Sequence, residues 1–404
     1  MTTPSELPGE KQLEGDQPTT NVRSLRELID IVSGRNLKDQ IPQEDAGYAE
    51  PLPYPFIALV GQRDLKLALC LTLINPNIGG VLLLGPHGTG KTTAVRSLFN
   101  LLPEIERSAC FYGCVPEDID VGGMDAVCPD CARKYAEGHP LTIRDRVKII
   151  ELPLNARLED VVGGMDERAA NNARFRVKRG ILAHADLNIL YLDEVNLIEN
   201  QIIDSILDAS AIGSYTVRHG PISASYRSRF SLVGSMNPEE GNLRPQILDR
   251  FGLRVIVQGL TDPDQRLEAY RRVHAFRQNP KTTIAHYAED LLLAANEIAQ
   301  AKNILPSVQL SDEVARYGIN LIQKLQIDSL RAEITLFESA RAYAAGDNRT
   351  MVTLDDLHHV APMALRLRRS IYINNFISEQ GKEDNEIIEH LNNLIPQEFR
   401  QKKV

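Results

Sequence analysis

The stretch Val81-Leu82-Leu83-Leu84-Gly85-Pro86-His87-Gly88-Thr89-Gly90-Lys91-Thr92 decides the fold. Four apolar residues in a row read as a short buried strand, and the run stops at a glycine-rich turn. From Thr92 to Leu102 the residues Val95, Leu98, Leu101 and Leu102 recur at helical spacing, which predicts a helix. Strand, GxxxxGK[ST] and helix in that order make a phosphate-binding loop. Its glycines let backbone N–H groups turn inward around phosphate oxygens, and the helix N-terminus adds positive potential. Gly85, Pro86, His87, Gly88, Thr89, Gly90, Lys91 and Thr92 are therefore the nucleotide-binding candidates. Lys91 would neutralise the β- and γ-phosphates, and the Thr92 hydroxyl would ligate Mg²⁺.

Working outward, the apolar run Ile189-Leu190-Tyr191-Leu192 ends in Asp193-Glu194. A strand of this kind places Asp193 to hold Mg²⁺ through water, and Glu194 to polarise the water that attacks the γ-phosphate. Phe230 to Val233 is another strand and runs into Gly234-Ser235-Met236-Asn237-Pro238. An amide at that strand end, Asn237, can hold the attacking water. Arg250 lies just beyond, where an arginine suits stabilisation of transition-state charge across a subunit boundary. Val147 to Leu152 supplies a further strand. Short apolar strands alternating with helices mean an α/β core with a parallel sheet. Together the two acidic and phosphate motifs imply an ATPase.

The chain has 404 residues, so at about 150 residues per domain two or three domains are expected. Residues 1–50 read as a flexible tail with one short helix, Val22 to Val32. An α/β core over 51–261 follows, including a helix from Asp64 to Ile74. Beyond Asp262-Pro263 the strand signals stop, and 262–404 reads as helical, with helices at Gln265 to Phe276, Ala288 to Lys302 and Ser329 to Ala345. The net charge of −9 disfavours a protein that coats nucleic acid, and no nucleic-acid partner is expected. No segment is long and apolar enough to span a membrane. The first twenty residues lack the basic-then-apolar order of a secretory signal, so a cytoplasmic location is expected, or an organelle if a transit peptide has been removed.

Four of the five cysteines, Cys110, Cys114, Cys128 and Cys131, fall in the pattern C-x₃-C-x₁₃-C-x₂-C. Two cysteine pairs joined by a loop can supply four thiolates in tetrahedral geometry, which suits structural Zn²⁺. An iron–sulfur cluster also takes thiolates, and a loop of reduced thiols needs no metal. His139 is a substitute ligand if Cys110 points into the core. A closed four-ligand site leaves no position for substrate, so its role would be structural or in interaction.

These residues resemble the AAA+ ATPases, and within them the subunit I family of magnesium chelatase. The resemblance rests on Leu59 to Gln62, Gly79 to Val81, the phosphate loop, Val161 to Asp166 (VVGGMD) and Arg179 to Leu182. It continues through Leu190 to Leu197 (LYLDEVNL), Arg227 to Phe230, Asn237 to Gly241 (NPEEG) and Leu243 to Gly252 (LRPQILDRFG). Leu305 to Leu310 (LPSVQL) and Leu330-Arg331 match in the helical part, so roughly residues 52 to 370 are covered. NPEEG and LRPQILDRFG are far more specific than the phosphate loop.

The resemblance implies an AAA+ core with an all-helical lid domain, assembled with copies of itself into a ring, a hexamer, with nucleotide at the interfaces. It implies that Asn237 is the sensor-1 residue, Arg250 the arginine finger and Arg331 the sensor-2 residue, with Arg244 a second interface candidate. It also implies insertions around Gly163 to Gly180 and Gly213 to Arg229 that face the ring pore or a partner. In this family the motor drives Mg²⁺ insertion into protoporphyrin IX for (bacterio)chlorophyll synthesis. It works there with the D and H subunits of magnesium chelatase, of which the large H subunit holds the porphyrin. A remodelling ATPase of the same clade, acting with a metal-binding adaptor on another client, would share every catalytic residue. The chain departs from the family pattern at Gly85-Pro86-His87, where Gly-Asp-Arg is common, at Thr92 in place of serine, and in the cysteine segment, about 108–140.

Overall fold

The computed structural model describes residues 52–110, 113–165, 177–219, 222–241 and 243–369. Two compact units divide the chain after Leu52, and every described residue except Leu52 belongs to the second. The helix expected over Val22 to Val32 lies outside the described residues.

Among the described residues the strands are β1 (Val81–Leu84), β2 (Glu104–Ser108), β3 (Thr142–Arg146), β4 (Ile149–Glu151), β5 (Gly163–Met165), β6 (Val177–Arg179), β7 (Ile189–Leu192), β8 (Ser214–His219), β9 (Ile222–Arg227), β10 (Ser231–Met236) and β11 (Leu253–Ile256). Five of them form one sheet in the order β11-β1-β10-β7-β4, with every neighbouring pair parallel. The expected α/β core is therefore present.

Side chains alternate between the two faces of a strand, and both faces here are covered. Val81 and Leu83 of β1 join one apolar cluster together with Ile189, Tyr191, Val233 and Val255. Leu82 and Leu84 join the other, with Leu190, Leu192, Leu232 and Met236. A strand buried on both faces must be apolar throughout, which is why β1 and β7 read as unbroken apolar runs.

The first cluster continues into the helices beyond the sheet through Leu291, Leu336, Leu357 and their neighbours. That part consists of helices Pro263–Gln278, Pro280–His286, Ala288–Ile304, Asp312–Lys324, Leu330–Gly346 and Leu354–Leu365. The boundary read at Asp262-Pro263 is a helix start: the Asp262 carboxylate accepts the Asp264 N–H at 3.1 Å, and Pro263 sits in the first turn. Among the described residues no helix is long and apolar enough to cross a membrane.

Several local expectations shift. The helix after the phosphate loop is α-helical only over Lys91–Ser97 and tightens to a 3₁₀ turn over Leu98–Leu101. β10 begins one residue later than expected and runs to Met236, and β4 keeps only Ile149–Glu151 of the expected strand.

β11 was not expected, because Arg254 breaks its apolar run. Arg254 is nevertheless fully buried, and its guanidinium donates to the carbonyls of Arg366 at 2.8 Å and Leu248 at 2.5 Å. Buried charge is tolerated where donors find acceptors.

Three antiparallel hairpins extend from this core. β2 pairs with β3 and frames the cysteine segment; β5 pairs with β6; β8 pairs with β9. The last two fall inside the expected insertions.

Gly85 sits where β1 meets β11's continuation: a Cβ there would lie 2.0 Å from the Val257 carbonyl oxygen. Gly85→Ala should therefore force the sheet edge apart at an overpacking cost of about 1–3 kcal/mol. A urea melt checks this: the midpoint should fall with an unchanged slope, and an unmoved midpoint would contradict the close approach.

Candidate active site

The phosphate loop starts where β1 ends. Gly90, at φ 87°, occupies the left-handed region and caps the helix Lys91–Ser97, a conformation that disfavours any side chain. Lys91 is folded back under the loop, its Nζ donating to the carbonyls of Gly85 at 2.7 Å and Pro86 at 2.9 Å. Burial lowers the Lys91 pKa, and the carboxylates of Asp193, Glu194 and Glu240 oppose that shift.

Parallel register brings the C-terminal ends of three strands together, with β7 ending two residues before β1 and β10. Leu84 lies opposite Met236, and Gly234 opposite Leu192, so Asp193 emerges beside Ser235. Asp193 is the hub. Its Oδ2 accepts the Thr92 hydroxyl at 3.1 Å, its Oδ1 accepts the Tyr191 hydroxyl at 2.8 Å, and Ser235 Oγ also donates to Oδ1. Tyr191 OH further reaches Thr92 Oγ1 at 3.2 Å. Burial raises the Tyr191 pKa, which keeps the phenol a neutral donor.

Tyr191 and Ser235 were missed as functional residues. Tyr191 reads as a strand residue and Ser235 as a turn residue; only the strand register shows that both point at one carboxylate.

Glu194 follows at φ 51°, a left-handed conformation that costs about 1–3 kcal/mol for a residue other than glycine. Its backbone N–H is held by Ser235 Oγ at 3.2 Å, so the same serine orients both acidic residues. His87 Nε2 lies 2.7 Å from Glu240 Oε1, and its Nδ1 lies 3.9 Å from Glu194 Oε1. Asn237 is 2% exposed, and its Oδ1 accepts the Glu239 N–H at 3.2 Å.

His87, Asp193, Glu194, Ser235 and Asn237 line one cleft of about 170 Å³, together with Gly88, Thr89, Gly90, Lys91, Thr92, Thr93 and Met236. The donor set fits a magnesium nucleotide. Thr92 and Asp193 offer hard oxygens on one side, as Mg²⁺ requires, and Lys91 with the loop N–H groups offers positive charge to phosphates.

None of the residues lining the cleft is an arginine or belongs to the helical domain. Arg250 Nη1 pairs with Asp208 at 2.7 Å, and Arg244 Nη2 pairs with Asp204 at 2.9 Å. Both carboxylates stand one turn apart on the helix Asn200–Ile212. Arg331 Nη1 lies 3.6 Å from Asp249, which also takes Arg368 Nη1 at 2.9 Å and the Ser329 hydroxyl at 3.0 Å.

The four cysteines converge. One sulfur from each of Cys110, Cys114, Cys128 and Cys131 lies within 4.8 Å of the others. Cys110 is thus in the group, and His139, exposed and 3.8 Å from Glu137, is not its substitute.

Residues 317–391 match the family model described as an AAA lid domain. The magnesium-chelatase subunit ChlI homolog of Methanocaldococcus jannaschii is 43% identical over 320 residues, covering 78% of this chain and 86% of that protein. The chain belongs to the magnesium-chelatase subunit I family of AAA+ ATPases.

A second member, the magnesium-chelatase 38 kDa subunit of Rhodobacter capsulatus, is 42% identical and is covered to 92% of its length, with 81% of this chain. In the solved complex between the BchI and BchD components of magnesium chelatase, a chain 39% identical to this one matches with a TM-score of 0.44, over 80% of this chain and 97% of that one. ATP and Mg²⁺ are the cofactors of this AAA+ family. The identity spans the α/β core and the helical lid alike.

A charge-assisted hydrogen bond contributes about 1.5–3 kcal/mol, so Ser235→Ala should lower ATP turnover by about tenfold or more. Tyr191→Phe should act in the same direction, with nucleotide affinity nearly unchanged in both. Steady-state kinetics with a nucleotide titration check this; wild-type turnover in Ser235→Ala would contradict the hub at Asp193.

Proposed function

We propose that this chain is the ATP-hydrolysing motor subunit of a magnesium chelatase. It would turn over ATP to drive insertion of Mg²⁺, as substrate, into protoporphyrin IX for (bacterio)chlorophyll biosynthesis. The observation that carries the reading is the cleft itself: the phosphate loop, the Asp193 hub and Asn237 meet at the C-terminal ends of the central strands, in a chain of the subunit I family.

In this reading Lys91 and the loop N–H groups hold the phosphates, while Thr92 and Asp193 hold the nucleotide's magnesium. Bound there, Mg²⁺ would offset the charge that develops on the phosphate oxygens. Glu194 accepts a proton from the attacking water, and Asn237 orients that water. Arg250, Arg331 and Arg244 are turned to carboxylates outside their own cleft, which supports a role at a neighbouring copy's nucleotide. Such a site is complete only in a ring, here taken as a hexamer. The partners are the D and H subunits of the chelatase, and the porphyrin stays on the latter. The location is cytoplasmic.

Two metals belong to the reading. Beside the nucleotide's Mg²⁺, a structural Zn²⁺ would be held by Cys110, Cys114, Cys128 and Cys131. The cysteine segment, a departure from the family pattern, also favours a second reading: a remodelling ATPase of the same clade that acts with a metal-binding adaptor on another client.

Mg²⁺ insertion into protoporphyrin, followed by absorbance with ATP and the D and H subunits, separates the two. Insertion that needs this chain and is abolished by Lys91→Ala is expected. ATP hydrolysis without insertion, across competent D and H partners, would contradict the chelatase reading and favour the second.

A further inference from the structure

Resting on the reading that the four cysteines hold Zn²⁺, we infer that this metal site is a clamp on the β8–β9 hairpin, with Arg227 as the coupling residue.

The cysteine segment has almost no core of its own. Its buried residues are Cys114, Val127, Cys131 and Leu141, and two of those four are candidate ligands. The helix Pro116–Gly122 buries nothing, and Pro129–Ala136 buries only Cys131. So small an apolar cluster does not repay the ordering of some thirty residues, and segments of this kind are held by a staple. Zn–S bonds of about 2.3 Å in a tetrahedron put the sulfurs about 3.8 Å apart. The sulfurs here already lie within 4.8 Å, and the Cys128 N–H donates to Cys114 Sγ at 3.3 Å. Cys128 caps the helix Pro129–Ala136.

One guanidinium joins this module to the hairpin. Arg227 closes β9 and stands in register with Ser214, the first residue of β8, so it marks the hairpin base. Its Nη1 donates to the Gly113 carbonyl at 3.0 Å, and its Nη2 pairs with Asp118. Asp118 in turn accepts the Val115 N–H at 3.0 Å. Arg227 thereby grips the chain on both sides of Cys114.

The hairpin's buried residues, Val217 and Tyr226, pack against Val162, Ala183 and Tyr215. A cavity of about 450 Å³ lies between Cys114, Cys128 and Pro129 on one side and Ser214, Ser225 and Tyr226 on the other. The link is polar and directional, so it holds only while the Gly113–Asp118 loop is in place. Loss of the metal releases that loop, then Arg227, then the hairpin base.

The test uses the full chain. Metal analysis should find one zinc per chain, lost in Cys128→Ser. Hydrogen exchange over 214–219 and 222–227 should speed up by about tenfold in Cys128→Ser and on zinc chelation, with β1 unchanged. Arg227→Ala should keep its zinc and still show the faster exchange. No zinc, and no uptake of added Zn²⁺, would overturn the metal reading, as would iron with sulfide. Zinc retained with unchanged hairpin exchange in Arg227→Ala would overturn the clamp alone.

Discussion

Parallel strand register is the constraint on which the site depends. β1, β10 and β7 run in one direction, so the phosphate loop, Ser235 with Asn237, and Asp193 with Glu194 meet at their C-terminal ends. A slip of one residue would turn each side chain to the other face. The two apolar clusters oppose any slip, because each strand alternates its residues between them. Core packing therefore holds the Asp193 carboxylate within hydrogen-bond distance of Thr92.

A second constraint links the helix Pro245–Arg250 to the helical domain. Asp249 faces Arg331, Arg368 and, at 4.0 Å, Arg254. Arg254 and Arg368 are buried, and burial lowers both pKa values, Arg254 to about 9. Arg368 also donates to the Gly252 carbonyl at 3.0 Å and to Thr335 Oγ1 at 3.1 Å. Buried charges with this many partners are costly to break. The arginine proposed as the finger, Arg250, follows Asp249 directly. A shift of the lid at Arg331 or Arg368 therefore acts on the residue next to it.

Much of this was legible in the sequence. An apolar run buried on both faces needs no tertiary information, so β1 and β7 were read to the residue, and the phosphate loop with them. The cysteine spacing likewise placed four sulfurs near one another. What escaped depends on long-range partners. β11 carries Arg254, whose acceptors Arg366 and Leu248 come from elsewhere in the fold. Tyr191 and Ser235 become site residues only when β10 lies beside β7. The helix after the loop shortens at Ser97 because its last turn tightens, which apolar spacing does not show.

In the proposed ring one copy holds the nucleotide while another completes the catalytic set. Mixing two inactive variants, Lys91→Ala and Arg250→Ala, tests it directly. Mixed rings contain interfaces that pair an intact phosphate loop with an intact Arg250, so ATP hydrolysis should return to a substantial fraction of the wild-type rate. Mixtures that co-assemble yet stay as inactive as either variant alone would contradict the account.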